Sequence, residues 1–187
     1  MGKYWYNLKV QEFITKKGKK VIIRPPQESD AGNMTGFFNR LIEDDTYILR
    51  DRDPVTQEQE ENWLKCILEK IKKGNSVFIQ AYFKNQLVGQ VEISKKEYRK
   101  HFVGTLHIGI DRDFRGEGVG EQLIRQAEQE AKKTLDIKIV DLIVFGENKA
   151  GLALYKKLGY TEFGRLPESI EYRGGMLDEV HMYKRLG

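Results

Sequence analysis

Apolar residues along this chain change spacing repeatedly, and each change marks an element. Val10 to Thr15 and Val21-Ile22-Ile23 flank Lys16-Lys17-Gly18-Lys19, which predicts a hairpin. Arg24-Pro25-Pro26 ends it, because proline cannot continue a strand ladder. The spacing then becomes helical. Met34, Phe37, Phe38 and Leu41 share one side of a helix that Ser29 or Asp30 can cap and Glu43-Asp44-Asp45 breaks. Trp63, Leu64, Ile67, Leu68 and Ile71 form the stripe of a second helix, opened by Thr56 with Gln59 three residues on and stopped by Gly74-Asn75.

Strand spacing returns over Ser76 to Phe83, Leu87 to Ile93 and Phe102 to Ile110, joined by a turn at Asn85-Gln86 and a basic loop over Lys95 to Lys100. A helix with Val119, Leu123, Ile124, Ala127 and Ala131 facing inward follows. Val140 to Phe145 is nearly continuous in apolar residues, the pattern of a buried strand, parallel to the preceding one across the helical crossover. Asn148 to Leu158 predicts a short helix ended by Gly159. Tyr160 to Tyr172 and Leu177 to Leu186 predict two strands around Arg173-Gly174-Gly175. The order β β α α β β β α β α β β predicts an α/β (α+β) mixed sheet, mostly antiparallel, with helices on its faces.

The chain has 187 residues, enough for one domain with a real core, and residues 1–20 read as an N-terminal extension in which Tyr4, Trp5 and Tyr6 pack. Its 40% hydrophobic and 32% charged residues fit a soluble globular protein. No apolar run approaches a membrane span, and the opening residues resemble no signal peptide, so the cytoplasm is the expected location. A net charge of +4 invites a nucleic-acid reading, but the charges are interspersed rather than striped, so no nucleic-acid partner is expected. One cysteine, Cys66, permits no internal disulfide, and mid-helix it reads as a small hydrophobe rather than a nucleophile. His101, His107 and His181 lack ligand spacing, so no metal is expected. A homodimer is compatible with the sequence.

The chemistry concentrates in Arg115-Gly116-Glu117-Gly118-Val119-Gly120, between a predicted strand end and helix start. Such a turn leaves backbone N–H groups without intrahelical partners, and the helix dipole adds partial positive charge. Glycines let an anion approach the bare backbone, and a phosphate or pyrophosphate is the simplest ligand. The spacing is not that of a dinucleotide fingerprint, nor is there the Gly-Lys-Ser or Gly-Lys-Thr of a Walker loop. The pattern R-x-x-G-x-G, carried by Arg115, Gly118 and Gly120, resembles the acetyl-CoA signature of the GNAT N-acetyltransferase superfamily. Downstream, Asn148, Leu154, Tyr155, Lys157, Gly159 and Tyr160 resemble the second signature of that family, with small residues Gly151 and Ala153 slightly displaced.

The resemblance implies a GNAT fold over roughly 21–186 and direct transfer of acetyl from acetyl-CoA to a primary amine. It implies that Ile108, Gly109 and Ile110 hold the pantetheine arm and polarise the thioester, and that Gly116 to Glu121 (with Glu117 and Val119) cradle the pyrophosphate. Asn148 and Tyr155, two helical turns apart on one face, would contact the arm and protonate the leaving thiolate. A core aromatic is the competing reading of Tyr155. The glutamate that some relatives carry on the strand after the glycine helix is replaced here by Ile143, which leaves Glu92 and His107 as base candidates. Glu43, Asp44 and Glu168 border the expected acceptor site and would attract a cationic amine, a polyamine-like molecule or a protein N-terminus. A non-catalytic acyl-CoA-binding module would keep the glycine turn and dispense with Tyr155.

Overall fold

The structure is a computed structural model that describes residues 8–49 and 53–187. Tyr4, Trp5 and Tyr6 therefore lie outside the described residues. The elements follow the expected order: strands β1 (Gln11–Ile14) and β2 (Lys20–Arg24), helices α1 (Ala31–Glu43) and α2 (Gln57–Lys72), then β3 (Ser76–Phe83), β4 (Gln86–Lys95) and β5 (Val103–Ile110). Helix α3 (Val119–Leu135), β6 (Ile139–Phe145), α4 (Lys149–Lys157), β7 (Thr161–Tyr172) and β8 (Gly175–Arg185) complete it. The strands form one sheet in the order β1-β2-β3-β4-β5-β6-β8-β7.

Every adjacent pair is antiparallel except β5 with β6, which the α3 crossover makes parallel. Helices α1 and α2 cover one face, with Phe37, Leu41, Leu64 and Ile67 packed on Phe78, Tyr82 and Leu87. Helix α3 covers the other, with Leu123, Ile124 and Ala127 against Ile79, Val91 and Leu106. The sheet therefore has two apolar layers, which explains why β3 is buried along nearly its whole length.

The α2 start follows the expected capping box: Thr56 Oγ1 accepts from the Gln59 N–H at 3.2 Å, and Gln59 Oε1 accepts from the Thr56 N–H at 2.8 Å. Helix α1 differs. Asp30 occupies its N-cap position but makes no side-chain cap. Its carboxylate instead takes a two-pronged bond from Arg24, at 2.7 Å on each oxygen, which a charged partner makes stronger than a cap. The basic loop shrinks too, since Lys95 still belongs to β4 and Tyr98–Lys100 is a single 3-10 turn. The last hairpin turns on Arg173 and Gly174 alone, both at positive φ, so β8 begins earlier than the apolar pattern suggests.

The β5–β6 ladder has only Val103↔Ile139, Gly104↔Val140 and Thr105↔Asp141. Asp141 closes the last pair, accepting from Thr105 Oγ1 at 2.8 Å and pairing with Lys96. Beyond it β5 stays on β4 as far as Ile110, β6 stays on β8 as far as Phe145, and the two separate. This fork positions the site.

Candidate active site

Backbone direction at the fork follows from the ladder. The N–H of Asp111 donates to Val88 and the carbonyl of Val103 accepts from Lys96, so odd positions of β5 face β4. By alternation the N–H and C=O of Ile108 and Ile110 face the gap toward β6. The Ile110 carbonyl is taken by Arg115 Nε at 3.0 Å. Gly109 has its backbone turned to β4. What it supplies to the gap is a missing side chain, since a Cβ there would meet Leu41 at 3.0 Å and Phe37 at 3.3 Å.

The gap opens into a cleft of about 500 Å³ lined by Glu92, His107, Ile108, Ile143, Asn148 and Tyr155, with Phe37, Phe38, Trp63 and Phe78 beyond. A second hollow, about 880 Å³, adjoins it through Leu41, Ile48, Leu49 and Phe145 and ends among Asp45, Glu171, Tyr172, Arg173 and Glu179. Tyr47, Phe145 and Tyr172 cluster between the two, with ring centroids 5.1–5.7 Å apart, Tyr47 stacked on Tyr172 and Phe145 edge-on to Tyr172. These three come from separate segments, and only that assembly reveals them as one wall.

At the tip of β5 the glycine turn enters α3. Gly118, at φ 92°, is its N-cap and offers no side chain, so the first N–H groups of α3 have no side-chain cap. Gly116 also has positive φ. Gly120 serves packing instead, since a Cβ there would touch Leu154 of α4 at 3.4 Å. Val119 is fully buried. The Glu121 carboxylate pairs with Arg125 at 3.0 Å and with Lys157 at 2.5 Å, and these cations hold it below the usual carboxylate range, Lys157 most. Arg115 donates to Asp44 at 3.2 Å, and Arg112 lies 3.5 Å from the same carboxylate. Asp44 is thus tied to the glycine turn, while Glu43 is exposed at the end of α1. Glu168 is exposed on β7, its N–H donating to Asp178 at 3.2 Å.

Tyr155 lies on α4 with its ring edge-on to Tyr160, centroids 5.8 Å apart. Burial pushes its hydroxyl up to about 12. Asn148 caps the same helix through Oδ1, which accepts from the Gly151 N–H at 2.9 Å, leaving its Nδ2 for other partners. Glu92 and His107 are cross-strand neighbours on one face, Glu92 half-buried and accepting from Ser76 Oγ at 3.0 Å, His107 exposed. Cys66 is exposed on α2 and is not part of the cleft. Among the described residues no three His, Cys, Asp or Glu side chains gather as a metal site, and no helix is long and apolar enough to cross a membrane.

The arrangement combines a glycine turn whose helix N–H groups carry no side-chain cap, a strand edge facing a gap, and a phenol and a carboxylate on the walls of one cleft. Residues 38–160 match the model of the acetyltransferase (GNAT) family. The chain belongs to the GNAT acetyltransferase family. Among curated relatives, an L-methionine sulfoximine/L-methionine sulfone acetyltransferase of Pseudomonas aeruginosa is 22% identical over 166 residues, 88% of this chain and 94% of that one. Two solved structures share the fold. The yncA protein of Salmonella typhimurium, solved with its cofactor acetyl-CoA, has a TM-score of 0.78 and 16% identity over 89% of this chain and 94% of its own. A ribosomal-protein-S5-alanine acetyltransferase of Vibrio fischeri has a TM-score of 0.79 and 16% identity over 92% of this chain and 97% of its own. The GNAT fold and the acetyltransferase family expected from the two motifs are thus both borne out.

Proposed function

We propose that this GNAT acetyltransferase moves acetyl from acetyl-CoA to the primary amine of a small molecule or a protein N-terminus, by direct attack with both substrates bound. The observation that carries the reading is the fork. It places the gap-facing backbone of Ile108 and Ile110 between the glycine turn at one end and Tyr155 on the wall. The Gly116 to Glu121 backbone takes the pyrophosphate, the gap takes the pantetheine arm, which the Ile110 N–H helps to hold, and the Ile108 N–H, one strand repeat further on, polarises the thioester carbonyl. The free Nδ2 of Asn148 donates to the arm.

The acceptor nitrogen attacks the carbonyl carbon as a neutral amine and loses its proton to Glu92, with His107 beside it as the second base candidate. The C–S bond breaks, and the sulfur takes the Tyr155 proton. A hydroxyl at about 12 is a weaker acid than a thiol at ~8.5, so complete transfer alone is uphill by roughly 5 kcal/mol. The phenol therefore acts first as a hydrogen-bond donor to the growing sulfur charge, and the proton follows as the bond breaks.

The test is a panel of amines, including polyamines, methionine sulfone and alanine-ended peptides, incubated with acetyl-CoA while free thiol is read. Amine-dependent thiol release is expected. Tight CoA binding with no turnover on any amine would favour the non-catalytic module instead.

A further inference from the structure

Glu117 is a carboxylate within a turn read above as a phosphate cradle, where a negative charge works against the ligand. Its side chain is 1% exposed and is directed at the N-terminal hairpin. Thr15 Oγ1 donates to one carboxylate oxygen at 2.6 Å, and Lys19 Nζ donates to the other at 2.9 Å. Lys17 Nζ is 3.5 Å away. These partners, the Thr15 hydroxyl first and Lys19 next, hold Glu117 below the usual carboxylate range.

The hairpin grips the rest of the turn as well. The Lys16 N–H donates to the Glu117 carbonyl at 3.2 Å. Lys19 Nζ also donates to the Asp113 carbonyl at 2.9 Å and lies 4.1 Å from the centre of the Phe114 ring. The Phe13 ring stands 3.3 Å from where a Gly118 Cβ would be. From Asp113 to Gly118, the turn thus rests on residues about a hundred positions earlier.

We propose that the β1–β2 hairpin is a working part of the cofactor site, with Glu117 the positioning residue through which it acts. This rests on the reading of the turn as the acetyl-CoA phosphate cradle. The carboxylate ties the turn to the hairpin, which fixes the left-handed Gly118 and directs the α3 N–H groups outward. Lys19 and Lys17 neutralise the charge that this tie places beneath the phosphates. Removing Lys19 leaves a buried, uncompensated anion there, whereas removing both partners removes the repulsion together with the tie.

The experiment measures CoA affinity by calorimetry and steady-state kinetics on the full chain. Lys19→Met should weaken CoA binding about tenfold and raise the acetyl-CoA KM by a similar factor, with kcat at saturation within about twofold of wild type. Lys19→Arg should restore wild-type affinity, and the double variant K19M/E117Q should bind more tightly than K19M alone. A folded K19M that binds CoA as the wild type does would overturn the proposal. If K19M does not fold, Lys17→Glu decides at a position 72% exposed: a loss of about tenfold supports the proposal, and unchanged affinity overturns it. A wild-type protein that binds no CoA would instead overturn the cofactor reading on which the proposal rests.

Discussion

Replacing Tyr155 by phenylalanine separates its chemistry from its packing. The ring keeps its edge contact with Tyr160, and among the described residues the hydroxyl has no hydrogen-bond partner to orphan. The fold should therefore lose under about 1 kcal/mol, a shift of no more than ~2–4 °C in melting temperature for a chain of this size. The chemical step should lose far more. General-acid catalysis contributes roughly 10²–10⁴-fold, or about 3–5 kcal/mol of barrier. The assay is single turnover with saturating acetyl-CoA, where product release cannot mask chemistry. The pH profile adds a signed check. A hydroxyl raised to about 12 is protonated at every pH below that value, so its contribution stays flat from pH ~6 to ~10 and declines only above it. A wild-type rate for Tyr155→Phe would make Tyr155 a core aromatic and refute the reasoning. An alkaline fall starting near pH 9 that the Phe variant abolishes would refute the burial argument.

Asn148→Ala removes the α4 cap from the Gly151 N–H and should cost about 0.5–2 kcal/mol in urea unfolding. Gly104→Ala places a Cβ 2.6 Å from Ile93 beside the fork, and overpacking there should cost about 1–3 kcal/mol by the same measurement. Glu117, Glu121 and Asp178 are all held below their ordinary values in the folded state, so their stabilisation is present above pH ~5 and is lost as pH falls through the lowered values. The melting temperature should drop between pH 5 and 3, and Glu117→Gln should flatten that slope.

The element order and the glycine turn were legible because both are local. Periodicity reports which face of a segment is buried, and a glycine triplet between strand and helix reports bare backbone wherever it occurs. Side-chain commitments across the chain were not legible. Asp44 reads as a substrate-attracting acid until Arg112 and Arg115, about seventy residues on, are seen to hold it. Glu117 reads as part of a ligand cradle, and only the distant hairpin shows where its carboxylate goes. Asp30 reads as a cap, but Arg24 arrives on a neighbouring strand and competes for it with a full charge. The wall of Tyr47, Phe145 and Tyr172 has no signal in any one segment. The extent of the β5–β6 pairing was likewise hidden, since hydrophobic pattern fixes a face and says nothing about how far two strands stay together.

Where that pairing ends, β5 becomes a strand with two populations of amide. At odd positions, His107 and Gly109 among them, the N–H groups stay bonded to β4, while those of Ile108 and Ile110 face a gap across which no strand of the described residues pairs. In the free protein, amide hydrogen exchange should therefore alternate along this stretch, slow and fast by turns, even though all of it belongs to one strand of the sheet. A molecule that fills the gap and bonds those two amides would erase the alternation, slowing Ile108 and Ile110 while their neighbours scarcely change. Occupancy of the fork can thus be followed residue by residue with acetyl-CoA alone, before any acceptor amine has been found.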